Sequence, residues 1–141
     1  MKHWSLCLLA FFSVVMVHAQ SAVGTWKAVD DESGEVKSHI SISEEEGKLV
    51  GAVVKLINPE SEICTTCKGD KKDQPLIGME ILWDLEADGD GKWSGGHIMD
   101  PKSGNTYKCK IKLKNPNELE VRGFLGFTFM GRTQTWYRLS E

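Results

Sequence analysis

No apolar run in this 141-residue chain is long enough to cross a bilayer: the longest, at positions 6–17, is about a dozen residues against the roughly 20 a helix needs. Basic residues are outnumbered, 17 against 20 acidic, for a formal net charge of −3. There is accordingly no cationic field to attract nucleic acid. Histidine and cysteine each occur only four times. No acid or histidine recurs at a spacing that would place it beside a nucleophile, so no catalytic residue is assigned and no enzyme, cofactor or metal is expected. Repeats, low-complexity tracts and linkers are absent from the sequence, and no segment shows helical spacing of its apolar residues.

What is present begins with a leader. Lys2 supplies a positive start, residues 6–17 an apolar core and Val17-His18-Ala19 a small-residue cleavage pattern. Residues 1–19 read as a cleaved signal peptide and residues 20–141 as one domain, periplasmic or secreted, with no membrane span after cleavage. Cys7 lies too early in the leader to be the lipid-modified cysteine of a lipoprotein.

Beyond the leader, alternating or continuous apolar segments recur between turn signals. Strands are expected at about 23–30, 35–44, 48–57, 76–85, 91–98, 105–114, 118–125 and 127–139. Asp31-Glu32-Ser33-Gly34, Glu45-Glu46-Gly47, Asp88-Gly89-Asp90-Gly91, Asp100-Pro101-Lys102-Ser103-Gly104 and Asn115-Pro116-Asn117 supply the reversals. Only residues 58–75 are long enough for a parallel crossover, so consecutive hairpins and an all-β fold follow. An up-and-down antiparallel barrel of about eight strands is preferred to a two-sheet sandwich. In such a barrel the first and last strands are neighbours. Gly24 and Trp26 near the start and Arg138 near the end are then the closure residues, with the guanidinium stacked on the indole.

Cys64 and Cys67 stand in the one long loop, and in an oxidising compartment a local disulfide is the preferred state. Thiol exchange would call for a helix N-terminus to depress the thiol pKa, and none is visible. Zinc would require Cys109, His97 or His39 to complete a tetrahedral set that lacks paired spacing. Cys109 alternates with Lys108 and Lys110 and shares parity with Tyr107, Ile111 and Leu113, which places it inside the barrel, whereas His39 has polar neighbours and is expected in solvent. Asp84, Glu86, Asp88 and Gly89 imitate the opening of a calcium loop, but its twelfth position is Gly95 instead of a bidentate carboxylate. A strand followed by an acidic turn is the better reading.

Aromatic and cationic residues gather in the C-terminal half, and Trp83, Tyr107, Arg122, Arg132 and Trp136 are the candidate ligand-binding residues. The last strand offers two inner faces. One carries Met130, Arg132, Gln134, Trp136 and Arg138, and the other Phe127, Phe129, Gly131, Thr133, Thr135 and Tyr137. If Arg132 faces inward, its guanidinium needs an internal acid such as Glu80 or Glu120, or the carboxylate of a ligand.

The chain resembles the domain-of-unknown-function 2147 family of small exported bacterial proteins over nearly its whole mature length. The likeness is carried by Gly24-Thr25-Trp26, Cys64-Thr65-Thr66-Cys67, Asp100-Pro101 with Gly104 and Tyr107, Val121-Arg122-Gly123, and Gly131-Arg132-Thr133-Gln134-Thr135-Trp136. The opening Gly-x-Trp and closing arginine also resemble lipocalins, whose barrels hold small hydrophobic molecules. That resemblance implies a barrel that takes a small hydrophobic molecule, and the aromatic and cationic residues point to an amphipathic one, such as a fatty acid, with aromatics on its apolar part and an arginine at its anionic end. The alternative is a non-enzymatic envelope module with a filled core and an unknown protein partner at the Cys64–Cys67 loop. Intact-mass measurement on the exported protein should give a chain beginning at Gln20; a retained leader would refute the cleavage site.

Overall fold

The computed structural model describes residues 20–127 and 130–140, so the leader at 1–19 and Phe129 lie outside the described residues. Eight strands follow one another: β1 Gly24–Val29, β2 Val36–Glu45, β3 Lys48–Leu56, β4 Glu80–Ala87, β5 Lys92–Met99, β6 Thr106–Asn115, β7 Glu118–Phe124 and β8 Gly131–Arg138. Each pairs antiparallel with the next, and β8 returns to β1, closing the barrel. The sandwich alternative is thereby excluded. The only described helix is a 3-10 turn at Gly69–Lys71 in the long β3–β4 loop.

Two strand starts differ from the sequence pattern. β4 begins at Glu80 instead of 76, because the preceding residues fold back on the loop: Ile63 bridges Pro75, and the Leu76 N–H donates to the Glu62 carbonyl at 2.9 Å. β8 begins at Gly131 instead of 127, because the Leu125 N–H donates to the Met130 carbonyl at 3.1 Å and closes a loop there.

Short polar turns make the hairpins, and their chemistry is visible at β1–β2. The Asp30 carboxylate accepts the backbone N–H groups of Glu32 and Ser33, each at 2.9 Å, an Asx-type turn that reverses the chain. Asp100 does the same for Lys102 at the β5–β6 turn.

Side chains directly opposite in adjacent strands share a face, so the register assigns the interior. Trp26 is opposite Ile40 and Arg138, Cys109 opposite Gly96 and Gly123, and Trp136 opposite Leu119. Trp26, Ile40, Leu82, Leu85, Leu119 and Trp136 are essentially inaccessible to solvent. Even the interior glycines leave no space: an added Cβ at Gly51 would come within 3.0 Å of Leu82 Cβ, and one at Gly96 within 2.6 Å of Leu85 Cγ. Cys109 is among the buried residues, and burial pushes its thiol pKa up to about 12, which leaves it an inert apolar side chain.

One end of the barrel is sealed by the N-terminal segment. The Arg138 guanidinium lies 4.3 Å from the centre of the Trp26 ring and donates to the carbonyls of Ser21, Val23 and Pro116 at 2.7–2.8 Å. Trp26 Nε1–H donates to the Ala22 carbonyl at 2.8 Å. Gly24 has φ +140° and admits the guanidinium where a Cβ would stand, 2.5 Å from Arg138 Nη1. Losing the stack and three hydrogen bonds, Arg138→Ala should cost about 2 kcal/mol of unfolding free energy. Denaturant titration checks this, and a midpoint unchanged from wild type would show that the seal does not need the guanidinium.

Candidate functional site

Up-and-down connectivity places the β1–β2 turn, the long loop 57–79, the β5–β6 turn and the β7–β8 loop together at the end opposite the seal. The inward face changes character towards that end. Ser38, Ile98, Tyr107, Gly123 and Gln134 all face inward and are only half-buried, whereas Ile40, Gly96, Cys109, Val121 and Trp136, one inward position deeper on the same five strands, are buried. Ser38 is opposite Ala28 and Leu56. The interior is therefore buried at the sealed end and reached by solvent at the mouth, with Trp136 beneath the half-buried positions.

The register resolves the two candidate faces of β8: Arg132, Gln134, Trp136 and Arg138 point inward. Their exposure falls with depth, from Arg132, whose side chain is 59% exposed, through half-buried Gln134 to Trp136 at 1%. A buried indole N–H needs an acceptor. Trp136 Nε1–H donates to Gln134 Oε1 at 3.0 Å, and Gln134 Nε2 reaches Asp31 Oδ1 at 3.4 Å. Arg132 grips the same carboxylate in a fork, Nη2 to Oδ1 at 2.6 Å and Nε to Oδ2 at 3.1 Å, and lies 3.2 Å from Glu32 Oε1.

This corrects the expected partner of Arg132. Glu80 and Glu120 both point away from the interior, since Glu80 is opposite outward-facing Ala52 and Glu120 opposite outward-facing Lys112. Asp31 takes the place instead, from the β1–β2 turn, 101 residues away in sequence. It is the residue that sequence reasoning missed, for an aspartate in a polar turn gives no sign that it crosses the barrel seam. Only Trp26–Arg138 and Lys27–Tyr137 form ladder pairs between β1 and β8. Above them the seam is carried by the Asp31–Arg132–Gln134 side chains.

Two candidate residues leave the interior altogether. Trp83, next to inward Leu82 and opposite His97, faces outward, and the bulge at Asp84, a non-glycine residue at φ +58°, lets Leu85 point inward again. Its indole stacks on His97 at 5.8 Å and carries Lys71 Nζ at 4.2 Å, beside an open groove of about 630 Å³ lined by Glu45, Lys48, Val50 and Glu80. Arg122 lies on the outer face of β7 and donates to Thr133 Oγ1 at 2.9 Å. A ligand inside the barrel reaches neither side chain. Tyr107 lines the mouth, and Trp136 lies beneath it.

Cys64 and Cys67 are joined in a disulfide. The bond leaves neither sulfur as the thiolate that zinc would require, and their burial shields them from thiol exchange. The bond holds the long loop against the outer side of β5: Cys67 Sγ is 3.7 Å from Met99 Sδ, and Thr66 Oγ1–H donates to the Pro101 carbonyl at 2.6 Å. Gly104, at φ +73°, leaves room for the Thr66 carbonyl where any Cβ would collide. A cavity of about 230 Å³, lined by Cys67, Lys68, Met99 and Thr106, separates loop and sheet. The expected solvation of His39 is only partial. It is half-buried between Lys27 and Lys55, and desolvation followed by those two charges lowers its pKa below 6.5.

Residues 24–138 match the family described as "Uncharacterized protein conserved in bacteria (DUF2147)". No curated protein matches the sequence. Among solved structures the chain is similar to protein HP1028 from the human pathogen Helicobacter pylori, which belongs to the lipocalin family, with TM-score 0.76 and 21% identity over 86% of this chain and 84% of that one. A redesigned beta barrel, b11L5F_LGL, aligns with TM-score 0.48 and 13% identity over 84% of this chain and 91% of its own. The eight-stranded fold is lipocalin-like.

At the mouth, partial burial by itself raises the Asp31 pKa, but hydrogen bonds from Arg132, from its own backbone and from Gln134 outweigh it and hold the carboxyl below 3.8. A carboxyl lowered on folding stabilises the fold at pH values above its unfolded pKa, and that contribution is lost as pH falls through the folded value. Asp31→Asn should therefore lower the Tm at pH 7 by about 2 °C, as for an exposed pair. The gap should close well below pH 3.8. Thermal melts across pH check this; a gap that persists in acid would mean that the carboxylate charge is not its source.

Proposed function

The chain belongs to the DUF2147 family, and we propose that it binds a small amphipathic or hydrophobic molecule in the mouth half of its barrel. The observation that carries this reading is the gradient along the inward face: five strands turn from buried to half-buried positions towards the mouth, with small or polar Ser38, Gly123 and Gln134 among them. A barrel that served only as a packed scaffold gains nothing from keeping apolar Ile98 and Leu56 within reach of water on its inner side. A concave, largely apolar surface with a few placed polar groups is the usual composition of a small-molecule site. Here Leu56, Ile98 and Tyr107 supply the wall and the Arg132–Asp31–Gln134 network the polar edge. Exposed Leu125 and Met130 in the β7–β8 loop extend the apolar surface at the rim.

The packed sealed end limits the ligand to the upper part of the barrel. It also favours a second reading, in which the protein is an exported interaction module without enzymatic activity. Ile63 and Ile77, 41% and 58% exposed on the loop that the disulfide fixes, would then meet a protein partner.

A neutral fluorescent amphiphile, N-phenyl-1-naphthylamine, is a suitable probe. Ser38→Leu adds an apolar side chain that fills the mouth from β2, so it should weaken probe binding at least about tenfold, with a Tm at or above that of the wild type. Unchanged binding would place the probe outside the mouth and remove this reading. Wild-type protein that fails to bind any amphiphile would turn attention to the disulfide loop.

A further inference from the structure

The polar groups of the mouth are matched to one another in a way that fixes the charge of what it can hold. The guanidinium that faces the opening, Arg132, already forks onto Asp31 and lies against Glu32, with the Asp30 carboxylate behind them on the same turn. Gln134 spends its amide N–H on Asp31 and its carbonyl on Trp136. The other guanidinium near this strand, Arg122, is on the outer face and bonded to Thr133. Further round the turn, Lys37 is paired with Glu35 at 2.7 Å. At the rim the charged donors are thus drawn to acids of this chain: Arg132 to Asp31 and Glu32, Lys37 to Glu35, and Lys102 of the β5–β6 turn near enough to Asp30 to help lower its carboxyl pKa. One arginine faces three acids.

A ligand carboxylate arriving at Arg132 would have to displace Asp31. The exchange replaces one carboxylate by another, gains no new ion pair, and leaves Asp31 and Glu32 uncompensated beside the incoming charge. An uncharged head group meets no such penalty. An alcohol or amide N–H donates to the remaining lone pairs of Asp31 and Glu32 without disturbing the fork, since an ionised carboxylate accepts at about four sites. We propose that the mouth selects amphiphiles with an uncharged, hydrogen-bond-donating head, and that Asp31 and Glu32 are the residues that reject fatty-acid anions. This rests on the mouth being the ligand site, and it reverses the role first expected of Arg132, which serves to hold Asp31 in place.

The test compares two ligands with the same acyl chain, 1-monododecanoylglycerol and dodecanoate, by displacement of N-phenyl-1-naphthylamine from the purified protein at pH 7.5, below the critical micelle concentration of each. The glyceride should bind at least about fivefold more tightly, the size of one like-charge contact near water. That margin should shrink as salt is added. The double variant Asp31→Asn, Glu32→Gln, confirmed folded by its circular dichroism, should raise dodecanoate affinity and bring the ratio to one or below, while the glyceride, which loses two charged acceptors, binds no more tightly than to the wild type. Glu32→Gln alone, which keeps the Asp31 fork, should give an intermediate ratio. Equal binding of both ligands to the wild-type protein, or a ratio that the double variant does not move, would overturn the charge assignment and leave the mouth standing as the site. If neither ligand displaces the probe from any variant, the mouth itself fails as the site, and this inference fails with it.

Discussion

The barrel depends on one guanidinium. Arg138 covers the face of Trp26 and binds the carbonyls of Ser21, Val23 and Pro116, and so ties the segment before β1, the β6–β7 turn and the end of β8 into one joint. Closure needs such a joint because the β1–β8 ladder has only two residue pairs and supplies few backbone hydrogen bonds of its own. The planar fork of arginine suits this position because it stacks as a π-face and still directs its N–H groups outward in the ring plane, which a lysine cannot do. With that end sealed, Trp26, Leu119 and Trp136 have a floor to pack on.

Sealing one end leaves the two halves of the interior under different constraints. Near the joint the inward side chains are buried, Gly51 is pressed between Leu82 and Ile40, and among the described residues no polar side chain is in the buried set. Towards the mouth the inward positions are only half-buried, and the seam between β1 and β8 passes from backbone ladder to side-chain network. That network tolerates charge because it is partly wet, and Arg132 and Asp31 would be costly only a few ångströms deeper. Burial depth thus separates the part of the barrel that stabilises the fold from the part that can exchange water for a ligand.

The long loop is held on the outside of this frame. Closing the short ring between Cys64 and Cys67 gains little from chain entropy, so the effect of the bond is local shape. It presents Thr66 to the β5–β6 turn and brings Lys71 over Trp83, covering the outer face of β4 and β5. Thus the aromatic and cationic residues of the C-terminal half divide between two surfaces. Trp136, Tyr107 and Arg132 serve the mouth, and Trp83 and His97 support the loop.

The sequence by itself determined the strand count, the meander, the sealing trio Gly24, Trp26 and Arg138, the disulfide loop and the interior place of Cys109. These follow from local facts, namely alternation of side chains, turn residues at the reversals and short connections that force neighbours in sequence to be neighbours in space. Only the tertiary structure decided which face of β8 points inward, that Trp83 and Arg122 lie outside, and that Arg132 meets Asp31. The physical reason is the same in each case. A single bulge at Asp84 shifts the parity of β4, so that Leu82 and Leu85 both face inward and Trp83 between them lies outside, and the parity of β8 is set by its register with β7 and β1. The contact between residues 31 and 132 exists only because the barrel closes, joining two ends of the chain that no local periodicity relates.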